Sequence, residues 1–195
     1  MDIRSDNLRV VVTDRKTAIG EYLQKELDAG IYRLHECDVL IVCDGKEYSG
    51  YFTDMKDGED VSSMVRNFHM PVVQVRGALS GMRKRGFGRI IFLSSVTPHL
   101  GVPGTSAYSA AKSALWGLTK VLAKENADRN VLINCLNLGY MDGGMTHRIK
   151  DYEKIKETIP VKKFGDFKEI ANAVEFLVRS DYITGTNIEI NGGLW

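Results

Sequence analysis

Cysteine is scarce in this sequence, and its arrangement argues against a metal centre or a disulfide framework. Cys37, Cys43 and Cys135 are odd in number, lie in or beside apolar runs and form no CxxC pair. The four histidines are scattered along the chain without metal-ligand spacing. We therefore expect reduced, buried thiols, a cytoplasmic protein and no metal site.

An excess of charge and long apolar runs are also missing. The net charge is +1 with both signs mixed, which gives no indication of a nucleic-acid or anionic-membrane partner. No apolar run reaches transmembrane length, and we recognise no signal peptide at the start. A chain of 195 residues with 44% apolar content is long enough for a well-buried core, so we expect one domain over residues 1–195.

The most informative stretch begins at Gly88–Ser95, an apolar run typical of a buried strand that ends at the carboxyl edge of a parallel sheet. Val131–Leu138 predicts a second buried strand. Between them, Tyr108 and Lys112 are four residues apart in a helical pattern, so their side chains share a face. A cation beside the Tyr108 phenol favours the phenolate and lowers its pKa, which makes the phenol a proton donor or acceptor.

This order of motifs resembles the short-chain dehydrogenase/reductase family over most of the chain. The motifs are Ser95 and Tyr108-x-x-x-Lys112, set between a GRII strand and an NCLNLG strand. A YxxxK motif alone is common, whereas the ordered set is much more specific. The resemblance implies an α/β fold, a three-layer Rossmann-like doubly wound parallel sheet of about five strands.

The resemblance also implies a Ser-Tyr-Lys-Asn site, with Asn67 assigned by its distance from the Gly88 strand. Tyr108 would exchange the proton, Lys112 would lower its pKa and hold the nicotinamide ribose, and Ser95 would orient the substrate oxygen. Asn67 would position a water. The implied substrate is a small carbonyl or alcohol compound, and the implied cofactor is NAD(P).

The glycine-rich turn that holds the dinucleotide in the family is degraded here. The family's TGxxxGIG corresponds to Thr13–Gly20, in which Asp14 and Ala18 replace two glycines. Arg15 and Lys16 would still bind a phosphate, or they are solvated turn residues. The resemblance assigns cofactor binding to Thr13, Arg15, Lys16, Ile19, Gly20, Gly45, Lys112 and Gly139.

A segment of the family fold is also absent. Ile31–Glu36 is too short for the two strands and the helices that the family has at this point, since one βαβ unit needs about 30 residues. Leu8–Thr13 then becomes a sheet edge, which we expect Ile31–His35 or another subunit to cover. Asp14 and Asp44 place two carboxylates where a dinucleotide brings negative charge. We therefore expect NAD(P) binding to be weak or absent.

Two long helices are predicted, at Asp60–Arg85 with a kink or break near Met70 before Pro71, and at Ser106–Asn126. We expect their outer faces to form a homodimer or homotetramer, as in the family. The residues expected on those faces are Val75, Leu79, Trp116 and Val121. His99, in the loop after Ser95, is a candidate substrate-facing residue.

The sequence leaves three functions open. The first is an oxidoreductase that uses the Tyr108-centred site. The second is an acid/base enzyme without a dinucleotide, a lyase, an isomerase or a halohydrin dehalogenase-like relative, that uses the same site. The third is a non-catalytic subunit. Substrate specificity would lie in Thr97–Thr105 and Tyr140–Thr158.

Overall fold

Five apolar segments form one parallel sheet in the computed structural model, which describes residues 7–46, 49–144, 146–149 and 151–195. The strands are β1 Val10–Val12, β2 Val39–Val42, β3 Gly88–Ser95, β4 Val131–Leu138 and β5 Asn187–Ile190. They lie in the order β1-β2-β3-β4-β5, so every neighbouring pair is also consecutive in sequence. The predicted parallel sheet is confirmed, with β3 and β4 at their predicted bounds.

Helices cover both faces of the sheet, as predicted. They are α1 Ala18–Glu26, α2 Glu59–Met64, α3 Met70–Arg85, α4 Thr97–Leu100, α5 Ser106–Asn126, α6 Tyr152–Thr158 and α7 Phe167–Arg179. Leu23 of α1 and Val174 of α7 belong to the core on one face. Val75 of α3 and Leu115 of α5 belong to the core on the other. The result is the expected three-layer sandwich.

A π-helical segment, Val65–His69, joins α2 to α3. Pro71 follows at the start of α3, where its missing N–H and fixed φ are tolerated. The backbone stays helical from Met64 to Met70, so the predicted break near Met70 is wrong, and a kink there stays a prediction. Asn67 lies within the π-helical segment and is fully buried. Such segments are frequent at functional sites.

β1 forms an edge of the sheet, as predicted, and residues 27–38, all of which are described, contain no strand. The prediction that Ile31–His35 covers this edge is wrong. Ile31 is 89% exposed, and the following turn, Leu34–Glu36, packs instead against α3. There the Leu34 side chain lies against Gly77. Cover by another subunit stays a prediction.

The edge of β1 is shielded by Gly30 and Arg15. The Thr13 N–H donates to β2, so the carbonyls of Val10 and Val12 face outward. The Gly30 N–H donates to the Val10 carbonyl at 3.1 Å. Arg15 donates through Nε to the Val12 carbonyl at 3.3 Å and through Nη2 to the Gly30 carbonyl at 2.6 Å. Both outward carbonyls thus have donors from the same chain, which removes acceptors for a foreign strand.

Arg15→Ala should make the edge of β1 available for pairing with other chains. It leaves the Val12 and Gly30 carbonyls without their side-chain donor, so we expect the free energy of unfolding to fall by about 1–2 kcal/mol and self-association to increase. Urea unfolding and light scattering at rising protein concentration measure the two effects. Lys16→Ala is the matched control, because Lys16 is exposed. Equal behaviour of the two variants would contradict the shielding role.

The predicted subunit interface is wrong for three of its four residues. Val75 is buried in the core, and Leu79 packs against the core. Trp116 is half-buried because it is four residues after Lys112 and therefore on the same inward stripe of α5. Of the four residues named for this contact, Val121 alone is exposed. A homodimer or homotetramer stays a prediction.

Candidate active site

Tyr108 and Lys112 lie on the buried stripe of α5, facing the carboxyl ends of β2 and β3. Their exposed fractions are 5% and 4%. The Lys112 Nζ is 5.9 Å from the centroid of the Tyr108 ring. It donates to the backbone carbonyls of Asp44 and Leu93, each at 2.9 Å. The helical spacing thus brings phenol and ammonium together, and two strand ends hold the ammonium.

Burial lowers the pKa of Lys112 to about 8. Because an unfolded lysine keeps a pKa near 10.5, the unfolded chain binds more protons than the folded chain between pH 8 and 10.5. The contribution of Lys112 to stability therefore increases as the pH rises through this window. At neutral pH the folded protein holds a mostly charged ammonium in a desolvated site.

Lys112→Met should remove this titration. We expect the free energy of unfolding of the wild type, relative to that of Lys112→Met, to increase by up to ~1.4 kcal/mol per pH unit above the folded-state pKa. Urea unfolding at several pH values from 7 to 10 measures the difference, with Lys120→Met, an exposed position on the same helix, as the control. A difference that does not change with pH would contradict the titration.

Asn67 and Lys112 meet at Gly45, the residue that follows Asp44. A Cβ atom at Gly45 would lie 3.2 Å from Lys112 Nζ and 3.4 Å from Asn67 Oδ1, so glycine permits this close approach. Asn67 Nδ2 donates to the carbonyls of Lys46 and Ser63 at 3.1 and 2.9 Å, and the Lys46 N–H donates to Asn67 Oδ1 at 3.0 Å. Asn67 therefore orders the backbone of Gly45 and Lys46 beside the ammonium.

The two serines at the end of β3 have different environments. Ser94 Oγ donates to the Lys112 carbonyl and accepts from Trp116 Nε1, both at 3.1 Å. Ser95 Oγ accepts the Thr97 N–H at 3.2 Å. Within the described part of the chain, Ser95 donates no hydrogen bond, whereas Ser94 has both partners. Ser95 is therefore the serine with a proton to offer to a substrate.

The turn before α1 is closed on itself. Thr17 caps the helix, because its Oγ1 accepts the Gly20 N–H at 3.1 Å. The Asp14 carbonyl in turn accepts the Thr17 N–H and hydroxyl, at 3.1 and 3.0 Å. Gly20 has no room for a Cβ atom, because the Asp14 carbonyl lies there. Asp14 has a φ of 43°, which places it in the left-handed region.

Most of the other predicted cofactor positions are engaged within the protein. The Thr13 hydroxyl donates to the Asp44 carboxylate and accepts the Cys43 N–H. Arg15 is held at the β1 edge, as described above. Ile19 packs against the core, and Gly139 lies against Asn191. Lys16 is exposed.

The loop after β4 contacts the start of α1. A Cβ atom at Gly144 would lie 3.7 Å from the Cβ of Ala18, the residue that replaces the second family glycine. Gly143 has no room for a Cβ atom because the Phe167 ring occupies the space. The loop at Gly143 and Gly144 therefore occupies part of the space beside the α1 amino end.

A cavity of about 400 Å³ lies beside Asp14, in the turn before α1. This volume is suited to a small molecule. The cavity is lined by Asp14, Asp44, Gly45, Val65, Arg66 and Met70. Partial burial, and secondly the charge of Asp44, raise the pKa of Asp14, while Arg66 and Lys16 oppose the rise. The sequence did not predict that Val65, Arg66 and Met70 line this cavity. The directions of their side chains depend on the π-helical segment, which the sequence pattern did not indicate.

Three aromatic rings stack beside the loop that follows Ser95. His99 lies between Trp116 and Trp195, with ring centroids 4.2 and 3.8 Å away and interplanar angles of 14° and 21°. The prediction that Trp116 lies on the outside is wrong. Trp195 was not predicted, because only the return of the chain after β5 brings it to His99.

Comparisons with known proteins agree with this fold. The profile of the family described as Enoyl-(Acyl carrier protein) reductase matches residues 21–195. The 3-oxoacyl-(acyl-carrier-protein) reductase of Haemophilus influenzae is 37% identical over 188 residues, which are 94% of this chain and 76% of that protein. The chain belongs to the short-chain dehydrogenase/reductase family.

Other matches agree with this short-chain dehydrogenase/reductase assignment. The acetoacetyl-CoA reductase of Allochromatium vinosum is 36% identical over 162 residues, covering 81% of this chain and 66% of that protein. A solved structure described as a short chain dehydrogenase/reductase family protein superposes with a TM-score of 0.86 at 22% identity. The superposition covers 99% of this chain and 98% of that one, which supports the fold.

The described residues contain neither a membrane-spanning helix nor a cluster of metal ligands. No helix among them is long and apolar enough to span a membrane. No group of three or more His, Cys, Asp or Glu residues among them is placed to hold a metal ion. Cys37 and Cys135 are buried and Cys43 is half-buried, and all three are free thiols.

Proposed function

We propose that this protein is an oxidoreductase that acts on a small carbonyl or alcohol compound through Tyr108. The observation that carries the proposal is the burial of Tyr108 and Lys112 on one face of α5, beside the strand end that presents Ser95. The names of the relatives favour a 3-oxo thioester as the substrate class. Reduction would convert its keto group to a secondary alcohol.

Ser95, Tyr108 and Lys112 have separate roles in this reduction. The Ser95 hydroxyl donates to the substrate oxygen, because its oxygen accepts the Thr97 N–H while no described residue accepts its proton. Tyr108 gives its phenol proton to the same oxygen as negative charge develops there. The Lys112 ammonium stabilises the phenolate that remains. A nicotinamide dinucleotide, the cofactor of the family, would supply the hydride when bound.

We further propose that NAD(P) binds weakly or not at all in the mode usual for the family. The Gly20 amide bonds to Thr17 and the Thr17 amide bonds to Asp14, and Arg15 is committed to the β1 edge. The Asp14 and Asp44 carboxylates line the adjacent cavity. Like charges in a partly desolvated site repel the phosphates of a dinucleotide. The residues present therefore do not fit a dinucleotide laid along Thr13–Gly20.

A second candidate is an acid/base enzyme that uses no dinucleotide. It is favoured by the contrast between the two halves of the cleft, since the cofactor turn is closed while Tyr108, Lys112 and Ser95 stay together. In this case Tyr108 would move a proton in an elimination, an isomerisation or a ring opening, as in halohydrin dehalogenase-like relatives.

Turnover assays with and without cofactor separate these functions. We expect the protein to oxidise NADPH or NADH in the presence of acetoacetyl-CoA, with a rate that still rises at millimolar dinucleotide. Saturation at micromolar dinucleotide would contradict weak binding. No oxidation at any concentration would contradict the oxidoreductase, and turnover of an epoxide or haloalcohol without dinucleotide would establish the second candidate.

A further inference from the structure

The two tryptophans of the chain, Trp116 and Trp195, enclose the imidazole ring of His99. We call these three rings the aromatic clasp. Trp116 belongs to α5, His99 belongs to α4, and Trp195 follows β5. The aromatic clasp therefore joins three separate parts of the chain, and α4 lies in the middle of it.

Both indole N–H groups of the aromatic clasp bond to one row of residues on adjacent strands. Ser94, Asn137 and Glu189 are in register on β3, β4 and β5. Trp116 Nε1 donates to Ser94 Oγ at 3.1 Å, and Trp195 Nε1 donates to Glu189 Oε2 at 3.3 Å. Asn137 Nδ2 donates to the other oxygen of Glu189. The sheet thus fixes the positions of the outer rings.

The middle ring belongs to the segment that directly follows Ser95. His99 is in α4, a helical turn of four residues, and its N–H donates to the Val96 carbonyl at 2.9 Å. The first residue of α4 is Thr97, whose N–H donates to Ser95 Oγ at 3.2 Å. So short a helix has little stability of its own. Its position therefore depends on contacts such as the stacking of His99.

We propose that the aromatic clasp positions the Ser95 hydroxyl, and that His99 and Trp195 are positioning residues for the reaction proposed above, on which this inference rests. The clasp holds α4, α4 holds the Thr97 N–H against Ser95 Oγ, and that bond directs the hydroxyl proton into the site. Without the clasp, α4 moves and Ser95 loses its fixed orientation. The chemical step then becomes slower, because the orientation of hydrogen-bond donors governs how well developing charge is stabilised.

Hydrogen exchange of the Thr97 amide tests the positioning directly. We expect this amide, followed by NMR, to exchange at least about tenfold faster in His99→Ala and in Trp195→Ala than in the wild type, while amides in the middle of β4 stay protected. Tyr182→Ala, which removes an aromatic side chain that is 97% exposed, is the control. Unchanged exchange at Thr97 in both clasp variants would overturn the proposal.

Kinetics with acetoacetyl-CoA and NADPH test the consequence. His99→Ala and Trp195→Ala should lower kcat about tenfold with a smaller change in KM, because the orientation of a donor is lost rather than substrate contact area. His99→Phe keeps a flat ring between the indoles and should restore both kcat and Thr97 protection. A His99→Phe variant as impaired as His99→Ala would show that the imidazole acts by itself, which overturns a positioning role.

The two measurements separate this proposal from the proposed function. If the wild type does not reduce acetoacetyl-CoA, the proposed function fails. The exchange rate of Thr97 then still decides whether the clasp holds the segment after Ser95. If the wild type is active and the clasp variants match its kcat, the clasp is only structural and the positioning role is wrong.

Discussion

Replacing Tyr108 with phenylalanine should lower turnover by at least ~10²-fold, the usual scale for the loss of a general acid. Tyr108 combines a proton to exchange with an ammonium 5.9 Å from its ring. The substitution removes one oxygen and little volume from a side chain that is already buried, so we expect the fold to be kept. Steady-state rates and urea unfolding of the same preparation measure the two expectations.

Tyr182→Phe is the matched control for this experiment. It makes the same chemical change at an exposed position outside the site. The control should keep the wild-type rate. Wild-type turnover in Tyr108→Phe would place the chemistry on another residue and remove the basis of the proposed mechanism.

Asp14→Asn should strengthen dinucleotide binding by about tenfold, which corresponds to ~1.4 kcal/mol. Asp14 lines the cavity beside the α1 amino end together with Asp44, and its charge repels a phosphate brought into that place. Asparagine keeps the shape of the side chain and tolerates the positive φ of 43°. Calorimetric titration with NADPH compares the two proteins.

Asp28→Asn is the control for charge alone. Asp28 also has a positive φ, of 50°, and it lies just beyond the other end of α1. The Asp28→Asn substitution removes the same net charge as Asp14→Asn, at a residue that does not line the cavity. A gain in affinity of the same size in Asp28→Asn would show that long-range charge, and not the position of Asp14, limits binding.

The sheet and the pairing of Tyr108 with Lys112 could be predicted because their signals are local. A parallel strand that is buried on both faces is rich in apolar residues, and β3 and β4, which are buried along their whole length, contain the apolar runs Ile90–Leu93 and Val131–Ile133. Four-residue spacing on a helix puts two side chains on one face whatever the rest of the fold does. The same rule, applied to Trp116 from Lys112, would have predicted its burial.

The role of Arg15 and the aromatic clasp depend on contacts between distant parts of the chain. Arg15 resembles a phosphate ligand in a degraded motif, and only the return of the chain at Gly30 gives its guanidinium a second carbonyl beside that of Val12. His99 is in a loop sequence without a strong pattern, and Trp195 reaches it only after β5 is in the sheet. Local periodicity contains no information about such pairs.

Calorimetric titration of the wild-type protein with NADPH, and separately with NADH, tests the central claim most directly. The claim is that the protein keeps the Tyr108 site but has lost its tight binding of the dinucleotide. Loss of three tenfold steps, about 4 kcal/mol in all, takes a micromolar site to millimolar. We therefore expect a Kd in the millimolar range or no measurable heat for both cofactors. A micromolar Kd for either cofactor would contradict the account.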